Sequence, residues 1–440
     1  MIWLLRPPLE LLQPQAVLAV GALCVLAAGA SRRVGLGLIK AMAGASVLAA
    51  LLMLMTTPFW AASPPLLSSD ILGWAFQGLF LCAALPLLYL MKPADEVPPA
   101  LVLASVLGMG LIAVSGNLLM LFIGLEMMSL PAYLLVARSR SPQALEGAVK
   151  YFFAGSAAGA IFLMGMALHF AATGALSLEP STDPLGIAGA FLMIATALFK
   201  LGAVPLHFWL PDVYEASDPE LTAFFSTGLK AAAVLFLTRL APLAPPWAMA
   251  WAAALTILFG ALVALRQKNL QRLLAYSSIS HAGFMLLAVA AWMAQGRSPR
   301  ASLAVFFYLA AYLFMSTGTF LWLKTEGVSE REEMRGLGKA RPLSAAALAV
   351  LLLSLAGIPP TAGFAAKFLV FWEAFKAGLY VPLILAGLGA LVSLGYYLGL
   401  IRDMYFEEGT KPLASAPHPA RAVVLACAIA SILLGLMPWL

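Results

Sequence analysis

The sequence predicts an all-α polytopic membrane protein of about fourteen transmembrane helices. Three observations carry that fold class. Hydrophobic residues make up 62% of the 440 and charged residues only 10%, against about 25% charged in an ordinary soluble domain. The apolar runs are roughly 18 to 25 residues long, which is the length of helix that crosses a hydrocarbon core of about 30 Å. They recur along the whole chain, with none of the short alternating segments of a membrane barrel. A chain so composed cannot cover its surface with polar groups, so lipid is its solvent.

Turn residues and charges cut the apolar sequence into spans near 14–30, 34–57, 71–91, 99–116, 118–137, 145–173, 185–211, 219–241, 245–265, 274–294, 301–324, 342–376, 380–404 and 420–439. The first is followed at once by a second, and no small-residue cleavage site stands after it, so it reads as a retained helix. Only Ser115-Gly116-Asn117 parts the fourth span from the fifth. The seventh and twelfth spans are interrupted, one by Pro205 and Pro211, the other by Pro359, Pro360 and Gly363. Proline removes a backbone donor and frees the carbonyl one turn back. At membrane depth such backbone survives only inside protein or beside water.

Paired broken helices point to an inverted-repeat transport fold. Residues 99–241 hold five spans and residues 242–404 five more, with the broken helix fourth in each set. Five is odd, so the second set enters the bilayer inverted. Residues 1–98 supply three earlier spans and 405–440 a last helix.

Lysine and arginine set the orientation. With connections counted alternately from the inside after the first span, sixteen basic residues fall inside, Arg32, Arg33, Arg266, Lys324, Lys411 and Arg421 among them. Five fall outside: Arg6, Arg239, Arg297, Arg300 and Lys376. Both termini should therefore face the outer side of the membrane. Five lysines remain: Lys40, Lys150, Lys200, Lys230 and Lys367. Lys40, near a span end, can snorkel to the surface. The other four lie within spans, where each costs roughly 2.5–3.5 kcal/mol at a helix centre. Together that is about 10–14 kcal/mol, comparable to the stability of a whole domain, so stability is not their purpose.

A desolvated ammonium can release its proton at accessible pH, whereas a guanidinium cannot. Glu126 stands as the one acid in FIGLEMMSLPAYLL, well inside the fifth span. Paired with Lys200, it would hold that lysine charged; a Lys–Glu pair of this kind is a unit of a proton relay, although a static ion pair has the same sequence. Glu146 and Lys150, four apart, share one helix face and read equally as a surface pair or as relay members. His207 follows Lys200 by seven residues on the same helical face, and His281 lies in YSSISHAGF; both are relay candidates. His169, near a span end, reads as structural. PDVYEASDPE, with Asp212, Glu215, Asp218 and Glu220 and no base, reads as a solvated loop or as a proton-gathering mouth.

Other chemistries find no support. The net charge of +6 is spread over short connections without a dense basic tract, so nucleic acid is not a partner. Cys24, Cys82 and Cys427 are far apart in apolar segments and read as small hydrophobes. The four histidines, at 169, 207, 281 and 418, fall in no HExxH, and no CxxC occurs. Gly338-Lys339 lacks the flanking residues of a phosphate loop. No cofactor or metal site is expected.

These segments resemble the antiporter-like membrane subunits of respiratory complex I, most closely its subunit N. The runs that carry the resemblance are GLEMMSLPAYLL, EGAVKYFFAGS, FKLGAVPLHFWLPDVYEA, NLQRLLAYSSISHAGF and GIPPTAGFAAKF, spread over residues 115 to 375. The resemblance implies fourteen helices on two inverted five-helix repeats, and a proton path through Glu126, Lys200, Lys230 and Lys367. It also implies that NAD, FMN, iron–sulfur clusters and quinone belong to partner subunits, whose electron transfer drives protons here by electrostatic coupling along the lysines. The sister subunit M usually carries glutamate where Lys367 stands, and subunit L has a long C-terminal lateral helix for which this sequence has no room. The run after PDVYE is Ala-Ser-Asp-Pro, where the family usually has Gly-Ala-Pro. A subunit of a multisubunit sodium/proton antiporter, a membrane-bound hydrogenase subunit and a structural membrane scaffold are the rival readings. The proteins that co-purify would separate them.

Overall fold

In the computed structural model, residues 9–31, 34–57, 66–68, 70–92, 95–408 and 419–436 are described. Arg6, Arg32, Arg33, Lys411 and His418, and the end of the last predicted span, lie outside them. Among the described residues the fold is helical throughout, with only two isolated β-bridges. Among those residues eleven helices are long and apolar enough to cross a membrane, and three shorter apolar helices accompany them: Val97–Ala113, Pro342–Ala356 and Ala420–Leu436.

The chain divides into two compact units, Met1–Leu201 with Gly228–Ala244, and Gly202–Thr227 with Pro245–Leu440. The first contains α1 (Gln13–Ala30), α2 (Leu36–Thr56), α3 (Ile71–Leu90), α4 (Val97–Ala113), α5 (Leu118–Val136), α6 (Pro142–Thr173), α7 (Pro184–Leu201) and α10 (Lys230–Leu240). The second contains α8 (Leu210–Ala216), α9 (Pro219–Phe224), α11 (Pro246–Ala264), α12 (Leu270–Ala294), α13 (Pro299–Glu326), α14 (Leu337–Ala340), α15 (Pro342–Ala356), α16 (Ala362–Lys376), α17 (Tyr380–Phe406) and α18 (Ala420–Leu436).

Local chemistry sets the helix ends. The short separator before α5 works because the Asn117 side chain accepts the Met120 N–H at 2.9 Å, while Gly116 N–H donates to the Leu66 carbonyl at 2.9 Å. Asp70 caps α3 through Gly73 N–H and also pairs with Arg239 of α10, whose second nitrogen donates to the Ala113 carbonyl. Ser141, Asn269 and Ser298 cap α6, α12 and α13. Lys40 donates to the Tyr89 carbonyl at the end of α3, at 2.8 Å. Between these ends the packing differs from helix to helix. In unit 1, α4 lies along α5 and α6 along α7. In unit 2, α12 is buried along nearly its whole length, whereas α17 presents large apolar side chains such as Ile384 and Leu391 outward. A soluble protein rarely exposes such contiguous apolar surface; a bilayer requires it.

Both interrupted spans are broken, and in the same manner. After the last helical residue comes a glycine at positive φ, Gly202 at 76° and Gly357 at 87°. A cis X-Pro bond follows, Val204–Pro205 in one break and Pro359–Pro360 in the other. The span expected at 185–211 is thus α7, a turn and α8, and the span at 342–376 is α15, a turn and α16. The span at 219–241 is interrupted too, by a π-turn at Phe225–Leu229 that ends where Lys230 begins α10.

At the second break, Gly363 N–H donates to Ser354 Oγ at 3.1 Å, and a Cβ added at Gly363 would overlap the Ser354 carbonyl. The obstacle is backbone and cannot rotate away. Gly363→Ala should therefore destabilise the purified protein by about 1–3 kcal/mol, as overpacking typically does, measured as lowered thermal stability in fixed detergent.

Candidate functional site

Among the described residues, each unit holds a buried polar cluster around a lysine that the sequence singles out. The first is built on α5, where Glu126, Ser129 and Tyr133 share one helical stripe. Lys200, the penultimate residue of α7, is 6% exposed. Its ammonium donates to Ser129 Oγ at 2.8 Å and to Tyr133 Oη at 2.9 Å, and lies 5.4 Å from the Tyr133 ring centroid. The direct Lys200–Glu126 ion pair expected from the sequence is not formed. Glu126 Oε1 is buried with no hydrogen-bond partner among the described residues. It lies 2.7 Å from where a Cβ on Gly159 of α6 would stand. One turn away, Gly155 leaves the room that the Tyr133 hydroxyl occupies. Two glycines on α6 thus make the notch in which the α5 stripe sits. Thr196 of α7 donates to the Ala158 carbonyl at 3.0 Å, tying α7 to the same stretch of α6.

Lys230 is 3% exposed at the start of α10, immediately after the π-turn. Such turns re-aim a side chain within an otherwise regular helix and cluster at functional positions. Glu146 and Lys150 pair at 2.8 Å with side chains 66% and 48% exposed, so they occupy the outer face of α6 and stand apart from the buried cluster. His169 is fully buried, with Nε2 3.2 Å from the Ser177 carbonyl.

In the second unit the twelfth-span break supplies the site. Helix α15 ends at Ala356, and the last carbonyls of a helix have no intrahelical partner. Lys367 of α16, 6% exposed, answers them: Nζ donates to the Leu355 and Ala356 carbonyls, both at 2.9 Å. A cation there also complements the negative end of the α15 dipole. Gly357 is required twice over, for its positive φ and because a Cβ would stand 2.8 Å from Lys367 Cδ. The Phe284 ring lies 5.1 Å from Nζ and stacks on Tyr308, with centroids 6.1 Å apart.

His281 of α12 is 2% exposed and lies between two phenols. Nδ1 is 2.7 Å from Tyr308 Oη, Nε2 is 3.2 Å from Tyr397 Oη, and Tyr397 is hydrogen-bonded in turn to Ser277. In a neutral imidazole one nitrogen donates and the other accepts. A tautomer change therefore carries a proton from one phenol side to the other. His281 and Lys367 are both in contact range of Phe284. His207 lies in the turn at 202–209, edge-on to Phe259 at 4.5 Å, with Nδ1 buried and without a hydrogen-bond partner among the described residues. Its inferred shared face with Lys200 does not exist, because α7 ends at Leu201 and helical spacing stops there.

The acidic run is not a solvated loop without a base. Asp212 and Glu215 of α8 both bond Arg272 of α12, at 2.9 and 2.8 Å. Glu220 of α9 is buried and pairs with Lys324 of α13 at 2.6 Å. The bases come from helices remote in sequence, which a local reading does not see. Ser129, Tyr133, Tyr308 and Tyr397 were missed, as was the pairing of Glu220 with Lys324. The only sequence signal for the first two was their spacing of three and seven from Glu126.

Residues 115–393 match the family model described as NADH:quinone oxidoreductase/Mrp antiporter, transmembrane. The chain is 42% identical over 344 residues to NADH-quinone oxidoreductase subunit 14 of Thermus thermophilus, covering 77% of this chain and 78% of that one. It is 37% identical over 376 residues to NADH-quinone oxidoreductase subunit N of Desulfovibrio desulfuricans, covering 76% and 74%. A chain of the respiratory complex I from Thermus thermophilus with bound aureothin superposes with a TM-score of 0.88 at 38% identity, over 97% of this chain and 98% of that one.

Because Lys200 has two hydroxyl acceptors, removing one should cost less than removing both. Tyr133→Phe or Ser129→Ala alone should each destabilise by about 1–3 kcal/mol, and the double variant by more than either, as its ammonium is left without an acceptor. Thermal unfolding of the purified single and double variants checks the order.

Proposed function

The chain belongs to the NADH:quinone oxidoreductase/Mrp antiporter membrane family, and on that premise we propose that it moves protons through its buried lysines as subunit N of a bacterial complex I. Its relatives are membrane subunits of NADH-quinone oxidoreductase, so the redox chemistry of NAD, FMN, iron–sulfur clusters and quinone belongs to other subunits of the assembly. The eleven long and three shorter apolar helices fit fourteen spans, and the two like-built breaks fit inverted repeats over 99–241 and 242–404. Both termini then face the periplasm, in keeping with the excess of basic residues in the inner connections.

The observation that carries the proton reading is what Lys200 and Lys367 bond. Among the described residues neither ammonium is held by a carboxylate, which would pin its charge. Ser129 and Tyr133 hydroxyls accept from a charged Lys200 and can equally donate to its neutral amine. The two carbonyls facing Lys367 take two N–H bonds, which ammonium and amine both supply, so the third proton is free to leave. Each site satisfies both protonation states, as a relay requires. Glu126, on the α5 stripe that also carries the Lys200 acceptors, is the acidic member of the relay. Lys230 is a central relay lysine of the first unit, and His281 with its two phenols moves the proton within the second unit. His207, and the outward-facing pair of Glu146 and Lys150, are peripheral members.

Substitutions that keep the charge or the shape separate this relay from a fixed-charge scaffold. Lys367→Arg keeps a donor and a positive charge but cannot deprotonate near neutral pH. It should assemble and pump poorly. Lys230→Met should assemble and lose pumping. Proton uptake into proteoliposomes carrying the whole complex, driven by NADH, is the measurement. If arginine at 367 pumps as well as lysine, the relay is wrong at this site.

A further inference from the structure

Unit 2 contains a buried acid–base pair that the lysine relay does not use. The Glu220 side chain is 3% exposed and that of its partner Lys324 17% exposed, with 2.6 Å between Oε1 and Nζ. The acid lies inside and the base at the rim. Replacing a buried ion pair with apolar residues is often neutral or stabilising, so stability alone does not account for the pair. The same two elements meet again deeper in the fold. Ser226 Oγ, six residues after Glu220, bonds Ser316 Oγ, eight residues before Lys324, at 2.7 Å. Helical rise puts this second contact roughly 9–12 Å inward, a distance that a chain of two or three waters would span. One turn beyond Ser316, the Tyr312 ring lies 5.0 Å from the His281 ring. The pair, the two serines and the histidine therefore lie in sequence from the rim toward the hydrogen-bonded core of the unit.

We infer that Glu220 and Lys324 form the proton-loading gate of this unit. The inference rests on the proton-relay reading above and names the group by which protons enter this unit. A proton from bulk water adds to a Glu220 carboxylate oxygen, and the ion pair opens as the attraction to Lys324 is lost. The neutral acid then gives that proton inward, where each serine hydroxyl accepts one proton and releases its own. The carboxylate is regenerated and recaptures Lys324, which closes the entrance behind the proton. The other charged groups nearby are already committed or lie further along the run: Arg272 of α12 holds Asp212 and Glu215, and Asp218 begins the turn into α9. Gln271 of α12 donates to the Tyr214 and Ser217 carbonyls at 3.0 and 2.9 Å, which holds that turn in place while the pair opens.

The test uses the whole complex in proteoliposomes, with NADH oxidation by an artificial acceptor as the assembly control. Glu220→Gln should leave that control unchanged and slow NADH-driven proton uptake by about tenfold or more, as loss of a proton-transfer group does. Glu220→Asp, which still titrates, should restore most of it. The double variant Glu220→Gln with Lys324→Gln has no unpaired charge, so a static ion pair predicts recovery to the wild-type level. The gate predicts that uptake stays low, and the double variant decides the matter if the single one fails to assemble. Wild-type uptake in Glu220→Gln, or its recovery in the double variant, overturns the gate. Lys367→Met in the same preparation separates the two levels. Loss there without loss at Glu220 removes the gate alone, and loss in neither removes the relay as well.

Discussion

The structure depends on how a broken helix is reconciled with lipid. An unpaired backbone carbonyl at membrane depth costs several kcal/mol, so a break must be answered by protein. At the end of α15 it is answered by one side chain, the Lys367 ammonium on the Leu355 and Ala356 carbonyls. The need runs in both directions, because the lysine is equally intolerable there without acceptors. The glycine at 357, the proline pair and the placement of Phe284 are consequences of bringing these two liabilities together. Packing, backbone geometry and proton chemistry are therefore one problem at this point in the chain.

The first unit reaches a similar end by other means. There the acceptors are the hydroxyls of Ser129 and Tyr133, and the room for them comes from Gly155 and Gly159 on a neighbouring helix. In both units the lysine bonds neutral groups. A lysine bound to a carboxylate is a stable ion; a lysine bound to hydroxyls or carbonyls can exist in either form.

Much of this was legible in the sequence, and the limits have a physical pattern. Span positions came through because apolar runs and turn residues are local signals: the expected 380–404 is α17 at Tyr380–Phe406, and the expected 245–265 is α11 at Pro246–Ala264. The breaks were legible because proline acts on its own helix. The burial of Lys200, Lys230 and Lys367 followed from their apolar surroundings. Partners were not legible. Glu126 was matched to Lys200 because it was the only buried acid in view, while the hydroxyls that take the ammonium are chemically ordinary and gave no signal. Glu220 was read as part of a solvated loop or a proton-gathering mouth, without its base, because that base lies more than a hundred residues away, on α13. His207 was placed by helical spacing across a break that ends the helix. Local rules fix elements, but contacts between distant helices need the fold.

The two lysine sites also differ in how they respond to inherited change. The acceptors of Lys200 are side chains, and a single codon substitution can delete either one. The acceptors of Lys367 are main-chain oxygens, which every amino acid possesses, so no substitution at 355 or 356 removes them. Drift at those two positions alters bulk and leaves the proton chemistry intact. Residues 355 and 356 are thus free to vary among descendants of this chain while the lysine between the half-helices is not, and the first unit carries the larger mutational target.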